Sequence, residues 1–327
     1  MELLILATII LSFLLTLLVL PKWIGKAKYI KLLWPDMNKY KKNSNAGSGG
    51  IVVVFSFVIC ILIYIAIKNF YLKSQENIIG ILAILTSLLL LTLIGLIDDL
   101  LGWQNKGLSK RVRIILSFVA AIPFMVINAG NNASWIYPLL IIPIGIAGCS
   151  LTFNFLAGMN GLEARQGILL IGALSLASYF SGRTWITLIG LIMIASLLGF
   201  LFFNKFPSKV FPGDVLTYPI GGILAMITIL GGLEKFALFI FIPYFIEIFL
   251  KLKGRLEKQS FGKPNKDGSL DLLYNRIYSL NHFSIMFLKK IKKNKKTNER
   301  EVVSLINIIQ IIFILIAFIL FRNSIFI

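Results

Sequence analysis

Apolar positions in this chain fall in long unbroken runs parted by short polar stretches, a pattern that is neither a one-faced helical stripe nor strand alternation. A helix needs about 20 apolar residues to cross a bilayer core. Ten runs of that kind predict ten membrane-spanning helices, over roughly 1–20, 50–69, 78–97, 112–129, 134–153, 167–182, 184–203, 215–232, 234–251 and 302–322. Only Ser181, Gly182 and Arg183 part the sixth span from the seventh, so one long kinked helix is the alternative there. A membrane β-barrel would show alternating segments of about ten residues, and none is seen. The first run has no basic stretch ahead of it and no small-residue cleavage site before the charged segment that follows. It is therefore expected to remain as the first span.

Composition agrees with that pattern. Of 327 residues, 57% are hydrophobic and only 14% are charged, far from the balance of a soluble domain. The expected fold class is all-α: a polytopic integral membrane helical bundle forming a single membrane-embedded domain over 1–327. Both cysteines, Cys60 and Cys149, fall inside expected spans and read as packing residues.

Charge adds an orientation. All but five of the 33 lysines and arginines lie in the segments that follow odd-numbered spans, the exceptions being Lys68, Lys73, Arg183, Lys235 and Arg322. The positive-inside tendency puts those segments in the cytoplasm and both termini outside. The richest is a basic cytoplasmic loop at about 252–301, whose stretch "KKIKKNKKTNER" (289–300) reads as a solvated or headgroup-binding face. The high Ile, Lys and Asn content suits an AT-rich prokaryotic genome, and so a plasma membrane.

The unusual polar residues gather on that same side. Asp36 and Lys39 lie in "WPDMNKYKKNSNAGSGG", the paired acids Asp98 and Asp99 in "IDDLLGW", Asn154 and Asn160 in "NFLAGMNGLEARQG", and Asp214 in "FPGD". A lone Asp at a helix end commonly caps or faces water. Two adjacent acids set like charges together, which is costly unless a cation or basic group neutralises them. Carboxylates, amides and glycines inside a basic field at a membrane boundary suit a Mg²⁺-bound, phosphate-bearing substrate.

These four motifs, in this order, resemble the polyprenyl-phosphate N-acetylhexosamine-1-phosphate transferases, a family that includes the bacterial phospho-MurNAc-pentapeptide transferases. "NFLAGMNGLEARQG" is most similar to the motif of the dolichyl-phosphate N-acetylglucosamine-phosphotransferase branch. The resemblance extends over most of the chain and implies a Mg²⁺-dependent transferase, with Mn²⁺ as a substitute. It would move N-acetylglucosamine 1-phosphate from a UDP-sugar to a polyprenyl or dolichyl phosphate. Asp98 and Asp99 take the catalytic positions, Asn154 and Asp214 those of the metal ligands. Phe211 matches an aromatic that stacks on uracil, Asn160 lies in the nucleotide-contacting stretch, and Lys39 is a substrate contact. A basic residue is also expected after the acid pair, and Lys106, Lys110, Arg111 and Arg113 are all candidates. The implied partners are the donor, the acceptor and membrane lipid, with no nucleic acid; a homodimer would be in keeping with the family.

Four departures narrow the branch. Ala157 stands where the phospho-MurNAc enzymes carry a third Asp, and the only histidine is His282, so their His-rich loop is missing. "FGKPNKDGSL" (261–270) replaces the Arg-His-Arg stretch of the eukaryotic-type enzymes and offers Lys263 and Lys266 in its place. "NAGSGG" lacks the Pro-Glu expected before the glycine pair. Together these point away from peptidoglycan synthesis. The competing expectations are a transporter of a phosphorylated or anionic substrate, which would show repeated halves and polar groups at the midplane, and a scaffold with a basic loop, which would not need the acid pair.

Overall fold

A computed structural model describes residues 2–41, 43–104, 106–128, 135–293 and 296–325. The expected connection after the fourth span (130–133) and two residues of the Lys-rich stretch, 294 and 295, lie outside the described residues. Helices dominate because a chain in hydrocarbon must satisfy its backbone N–H and C=O groups within itself. They are α1 (Glu2–Tyr29), α2 (Gly50–Ala66), α3 (Ile78–Gln104), α4 (Lys110–Asn128), α5 (Ile142–Phe153), α6 (Leu162–Phe180), α7 (Thr184–Asn204), α8 (Asp214–Gly231), α9 (Glu234–Ile240), α10 (Ile242–Lys253), α11 (Leu280–Ile291), α12 (Glu299–Leu320) and α13 (Arg322–Ile325). The chain is a polytopic all-α membrane protein.

Seven of these helices are long and apolar enough to cross a membrane, against the ten spans expected. The other three differ for local reasons. The fifth is the shorter apolar helix Tyr137–Phe153, which opens with a π-helical turn and carries Pro138 and Pro143 at its entry. The sixth, α6, starts at Leu162, ahead of the expected 167, because Gly161 at φ 77° takes the left-handed turn that lets the helix begin there. The ninth breaks at Phe241 into α9 and α10, with Pro243 in the first turn of the second piece. Between α6 and α7 the chain turns at Gly182, φ 72°, so the kinked single helix is not formed.

Helix α8 is the most enclosed: 83% of its membrane-length window is buried, against 22% for α1 and 28% for α12 at the periphery. Glycine allows its neighbours to approach. A Cβ on Gly95 of α3 would meet the backbone of Asp214 and Val215, and one on Gly221 would meet Cys149 and Ser150 of α5. Two small hairpins lie at the basic end of the bundle, β1 (Leu33–Pro35) with β2 (Ser44–Ala46) and β3 (Lys263–Pro264) with β4 (Leu270–Asp271). The first is tied to the loop before α8, since Phe211 N donates to Ala46 O at 2.8 Å and Gly49 N to Phe211 O at 2.9 Å. The expected basic loop is therefore partly built, holding the second hairpin and α11.

Candidate active site

The four polar segments meet around a cavity of about 520 Å³ at the basic end. The last turns of α3 bring Asp98 and Asp99 there, both buried. They do different things. Asp98 Oδ1 accepts from Arg113 Nη2 at 2.9 Å, while Arg113 Nε, whose N–H donates to Leu108 O at 3.0 Å, lies 2.7 Å from Oδ2 as an ion pair. Asp98 also accepts from Leu108 N at 2.7 Å and from the Tyr218 hydroxyl at 3.1 Å. Three hydrogen bonds and a close guanidinium thus occupy this one carboxylate. Asp99 instead accepts from the backbone N–H groups of Asp214 (2.8 Å) and Val215 (3.3 Å). It caps α8 from a neighbouring helix, where Gly213 at φ 73° brings no side-chain cap of its own.

Asp214 opens α8 with its carboxylate toward the cavity, and its cationic neighbour is Arg113, Nη1 to Oδ2 at 4.0 Å. Asn154 ends α5, and its Oδ1 accepts from Thr217 Oγ1 at 3.1 Å. Thr217 lies one turn beyond Asp214 on the same helix, so the two expected metal ligands share one wall. Asp98 and Asp214 share a single guanidinium with Asp99 close by, and the excess of carboxylates suits a divalent cation. Among the described residues no three His, Cys, Asp or Glu side chains are grouped to hold a metal by themselves. Asp214 and Asn154 thus supply a partial set of hard oxygens, the kind Mg²⁺ uses when it keeps waters and takes substrate phosphate oxygens.

The structure selects among the basic candidates. Arg113 lines the cavity, whereas Lys106, Lys110 and Arg111 are exposed and do not. Phe211 lines it as well. Lys39 stands outside the lining, bonded to Glu299 Oε2 at 2.6 Å with its ammonium 3.7 Å above the Phe206 ring. Asn160 is buried beside the cavity, its Nδ2 donating to Asp36 Oδ2 at 3.1 Å and its backbone N–H to Glu299 Oε1 at 2.6 Å. Lys263 and Lys266 are exposed on the second hairpin and do not line this cavity; Gln259 and Phe261 of the same segment reach it in their place.

Asp36, noted in the first loop, lines the cavity from the first hairpin. Other contributors were not singled out from the sequence: Trp34 from the same hairpin, Glu163 from α6, and Thr217 from α8. Thr217 carried a readable signal, three residues beyond Asp214 on an expected helix. Asn38 and Asn281 carried none, yet they fasten two walls together. Asn38 donates to Gly158 O and accepts from Gly262 N at 3.0 Å, while Asn281 Nδ2 donates to Ala157 O at 3.0 Å and Ser260 O at 3.2 Å. His282 bonds Phe261 O at 3.0 Å, and burial holds its imidazole below the ordinary range.

The chain's relatives bear on this geometry. The sequence profile described as glycosyl transferase family 4 matches residues 81–232, the stretch from α3 through α8. A protein of Sulfolobus acidocaldarius, provisionally named a UDP-N-acetylglucosamine–dolichyl-phosphate N-acetylglucosaminephosphotransferase, is 32% identical over 280 residues, covering 81% of this chain and 83% of its own. A provisionally named glycosyltransferase of Methanocaldococcus jannaschii is 34% identical over 239 residues, 72% of each chain. A phospho-N-acetylmuramoyl-pentapeptide-transferase of Lacticaseibacillus paracasei is 28% identical over 262 residues, 72% of this chain and 78% of its own. The chain belongs to glycosyl transferase family 4, as a membrane-embedded polyprenyl-phosphate sugar-phosphate transferase on the dolichyl-phosphate N-acetylglucosamine-phosphotransferase side of that family.

Proposed function

We propose that this protein transfers N-acetylglucosamine 1-phosphate from UDP-N-acetylglucosamine to a dolichyl-type polyprenyl phosphate, releasing UMP and leaving the sugar on a lipid pyrophosphate. The observation that carries this reading is one cavity, at the ends of membrane helices, where the Asp98–Arg113 pair faces Asp214 and Asn154. A lipid-borne phosphate and a water-soluble nucleotide sugar can meet only at such a boundary. The basic side is the cytoplasmic side of a prokaryotic plasma membrane, and both termini lie outside.

Asp214 and Asn154 would hold Mg²⁺. When bound, that ion neutralises donor diphosphate charge and draws electron density from the β-phosphorus. The chain's own residues do the positioning. Arg113 is the cation of the cavity lining, and Asp98 Oδ1 and Leu108 O, accepting from its Nη2 and Nε, fix the plane in which its guanidinium meets a phosphate oxygen. Asp98, with three hydrogen bonds and a guanidinium on it, is poorly placed to take a further proton. It need not: a phosphate monoester, with a second pKa near 6, is largely a dianion at neutral pH. These points support direct in-line attack by the acceptor phosphate on the β-phosphorus. Phe211 offers a ring face for the uracil.

The donor assignment rests on the Asn-containing motif and on the relatives of the same name. The test is incubation of purified protein in detergent with polyprenyl phosphate, Mg²⁺ and a panel of UDP-sugars, with nucleotide and lipid identified by mass spectrometry. UMP and a lipid-pyrophosphate N-acetylglucosamine are expected. UDP release would overturn attack at phosphorus, and lipid-independent uptake into vesicles would favour the transporter. UMP with another preferred sugar would change only the specificity.

A further inference from the structure

We propose that Glu299, the first residue of α12, is a positioning residue for the nucleotide end of the cavity. This rests on the reading above that the 154–163 segment meets a UDP-sugar. Glu299 is 2% exposed and uses both carboxylate oxygens on loops far away in sequence. Oε1 accepts the backbone N–H of Asn160 and Oε2 accepts Lys39 Nζ, each at 2.6 Å. One buried acid thereby joins the first cytoplasmic loop, the Asn-motif loop and the last long helix.

The consequences reach the cavity wall. The Asn160 side chain bonds Asp36, whose other oxygen accepts from Asn38 N at 3.1 Å, and Asp36 lines the cavity. Lys39 stands 4.0 Å from the same Asp36 oxygen that receives Asn160. With Glu299 in place, the ammonium is drawn to Glu299 and rests over Phe206. Without it, Asp36 is the nearest carboxylate left to Lys39, and the ammonium would compete with the Asn160 amide for one oxygen. Glu299 therefore does two things: it seats the Asn160 backbone, and it keeps Lys39 off Asp36. Neither brings Glu299 into contact with the reacting atoms, so its loss should act on donor binding more than on the chemical step.

The helix itself provides a control. Glu301, two residues on, closes the capping box of α12 by accepting from Asn298 N at 2.9 Å and is partly exposed. Its replacement weakens the helix start without touching Asn160 or Lys39.

The experiment uses the full-length protein in nanodiscs and measures UMP binding by titration calorimetry alongside KM for UDP-N-acetylglucosamine, KM for polyprenyl phosphate, and kcat. Removing a charged hydrogen-bond partner should weaken binding by about 10- to 100-fold. Glu299→Ala is expected to raise Kd for UMP and the donor KM by that range, with acceptor KM unchanged and kcat moved less than threefold. Glu299→Gln keeps an acceptor for Asn160 N–H and should show a smaller rise, which decides the matter if the alanine variant does not fold. Glu301→Gln should match wild type in every constant. Wild-type donor KM and UMP affinity in Glu299→Gln and Glu299→Ala, or a fall in kcat alone, would overturn the positioning role. A wild-type protein that neither binds UMP nor uses UDP-sugars would instead overturn the functional reading beneath it.

Discussion

The two ends of the cavity are built on opposite principles. At one, three acids and an arginine project from α3, α4 and α8, and rigid helices set their spacing; Asp98, Asp99 and Arg113 each have fixed partners. At the other, Asp36, Asn38, Asn160 and Glu299 come from separate loops and one helix start, and hold each other through single hydrogen bonds. Precision at the first end comes from helix packing, to the point that a Cβ on Gly95 could not be accommodated against α8. Precision at the second comes from saturating buried polar groups. The helical end suits the part of a reaction shared by a whole family, the handling of phosphate charge. On the proposed reading, the loop end is where the donor would be chosen, because loops change without disturbing the bundle.

The contrast breaks most sharply at Arg113. Arg113→Ala removes the cation of the lining and strands Asp98, and turnover should fall about 1,000-fold, the cost of losing a transition-state charge stabiliser. Arg113→Lys keeps the charge but loses the planar guanidinium and its paired bonds to Asp98 and Leu108 O, and should recover only part of it. Asp98→Asn should cost somewhat less, about 100-fold. Its pH profile is the informative measurement: if Asp98 only holds Arg113, UMP release by the variant keeps the wild-type pH dependence. Activity restored at high pH would return Asp98 to the role of a base.

Asp214→Asn comes next. With one hard oxygen donor of reduced charge, the Mg²⁺ concentration for half-maximal activity should rise by about 10- to 100-fold while the protein still inserts and folds. Magnesium titration of purified enzyme checks it, and an unchanged requirement would remove Asp214 from the ligand set. Asp99 marks the boundary between the two principles. As a cap for α8 it should tolerate Asn, which retains an accepting oxygen, and resist Ala at a cost of about 1 kcal/mol in stability. If Asp99→Asn is as damaged as Asp98→Asn, Asp99 also meets substrate.

The helical end was largely legible in the sequence and the loop end was not. Long apolar runs located the helices, and an acid pair after one run can face only the boundary. That pattern places Asp98 and Asp99 at the boundary, and the family resemblance, not the pattern, implies metal and uracil contacts for Asn154, Asp214 and Phe211; all five line the cavity. Arg113 was one of four cations until geometry chose it, because helical phase at the start of α4 depends on where that helix begins. Glu299 carried no local signal: it looks like an ordinary acidic first-turn residue of a capped helix, and its partners are 139 and 260 positions away. Lys39, read as a substrate contact, pairs with that same Glu. Two of the three remaining spans are short or broken because prolines fix their ends, and the third, α6, begins early at a left-handed glycine and so takes the polar residues Glu163, Arg165 and Gln166 into its first turns.

Smallest of all should be the effect of the exposed cations beside the acid pair. Lys106, Lys110 and Arg111 stand within a few residues of Arg113, yet they do not line the cavity and face solvent. Their action on an anionic donor is a field effect, screened over a Debye length of about 10 Å at 0.1 M salt. Replacing all three by Gln should raise the donor KM by about twofold at low ionic strength, leave kcat alone, and lose even that difference as salt increases. A short-range contact would behave otherwise, because a bonded cation in a partly closed site is screened far less. KM measured across a salt series therefore separates the two. A triple variant whose defect persists at high salt would show that one of these side chains swings into the cavity when the donor is bound, and would extend the fixed, helix-borne charge of the Arg113 end to the loop that precedes it.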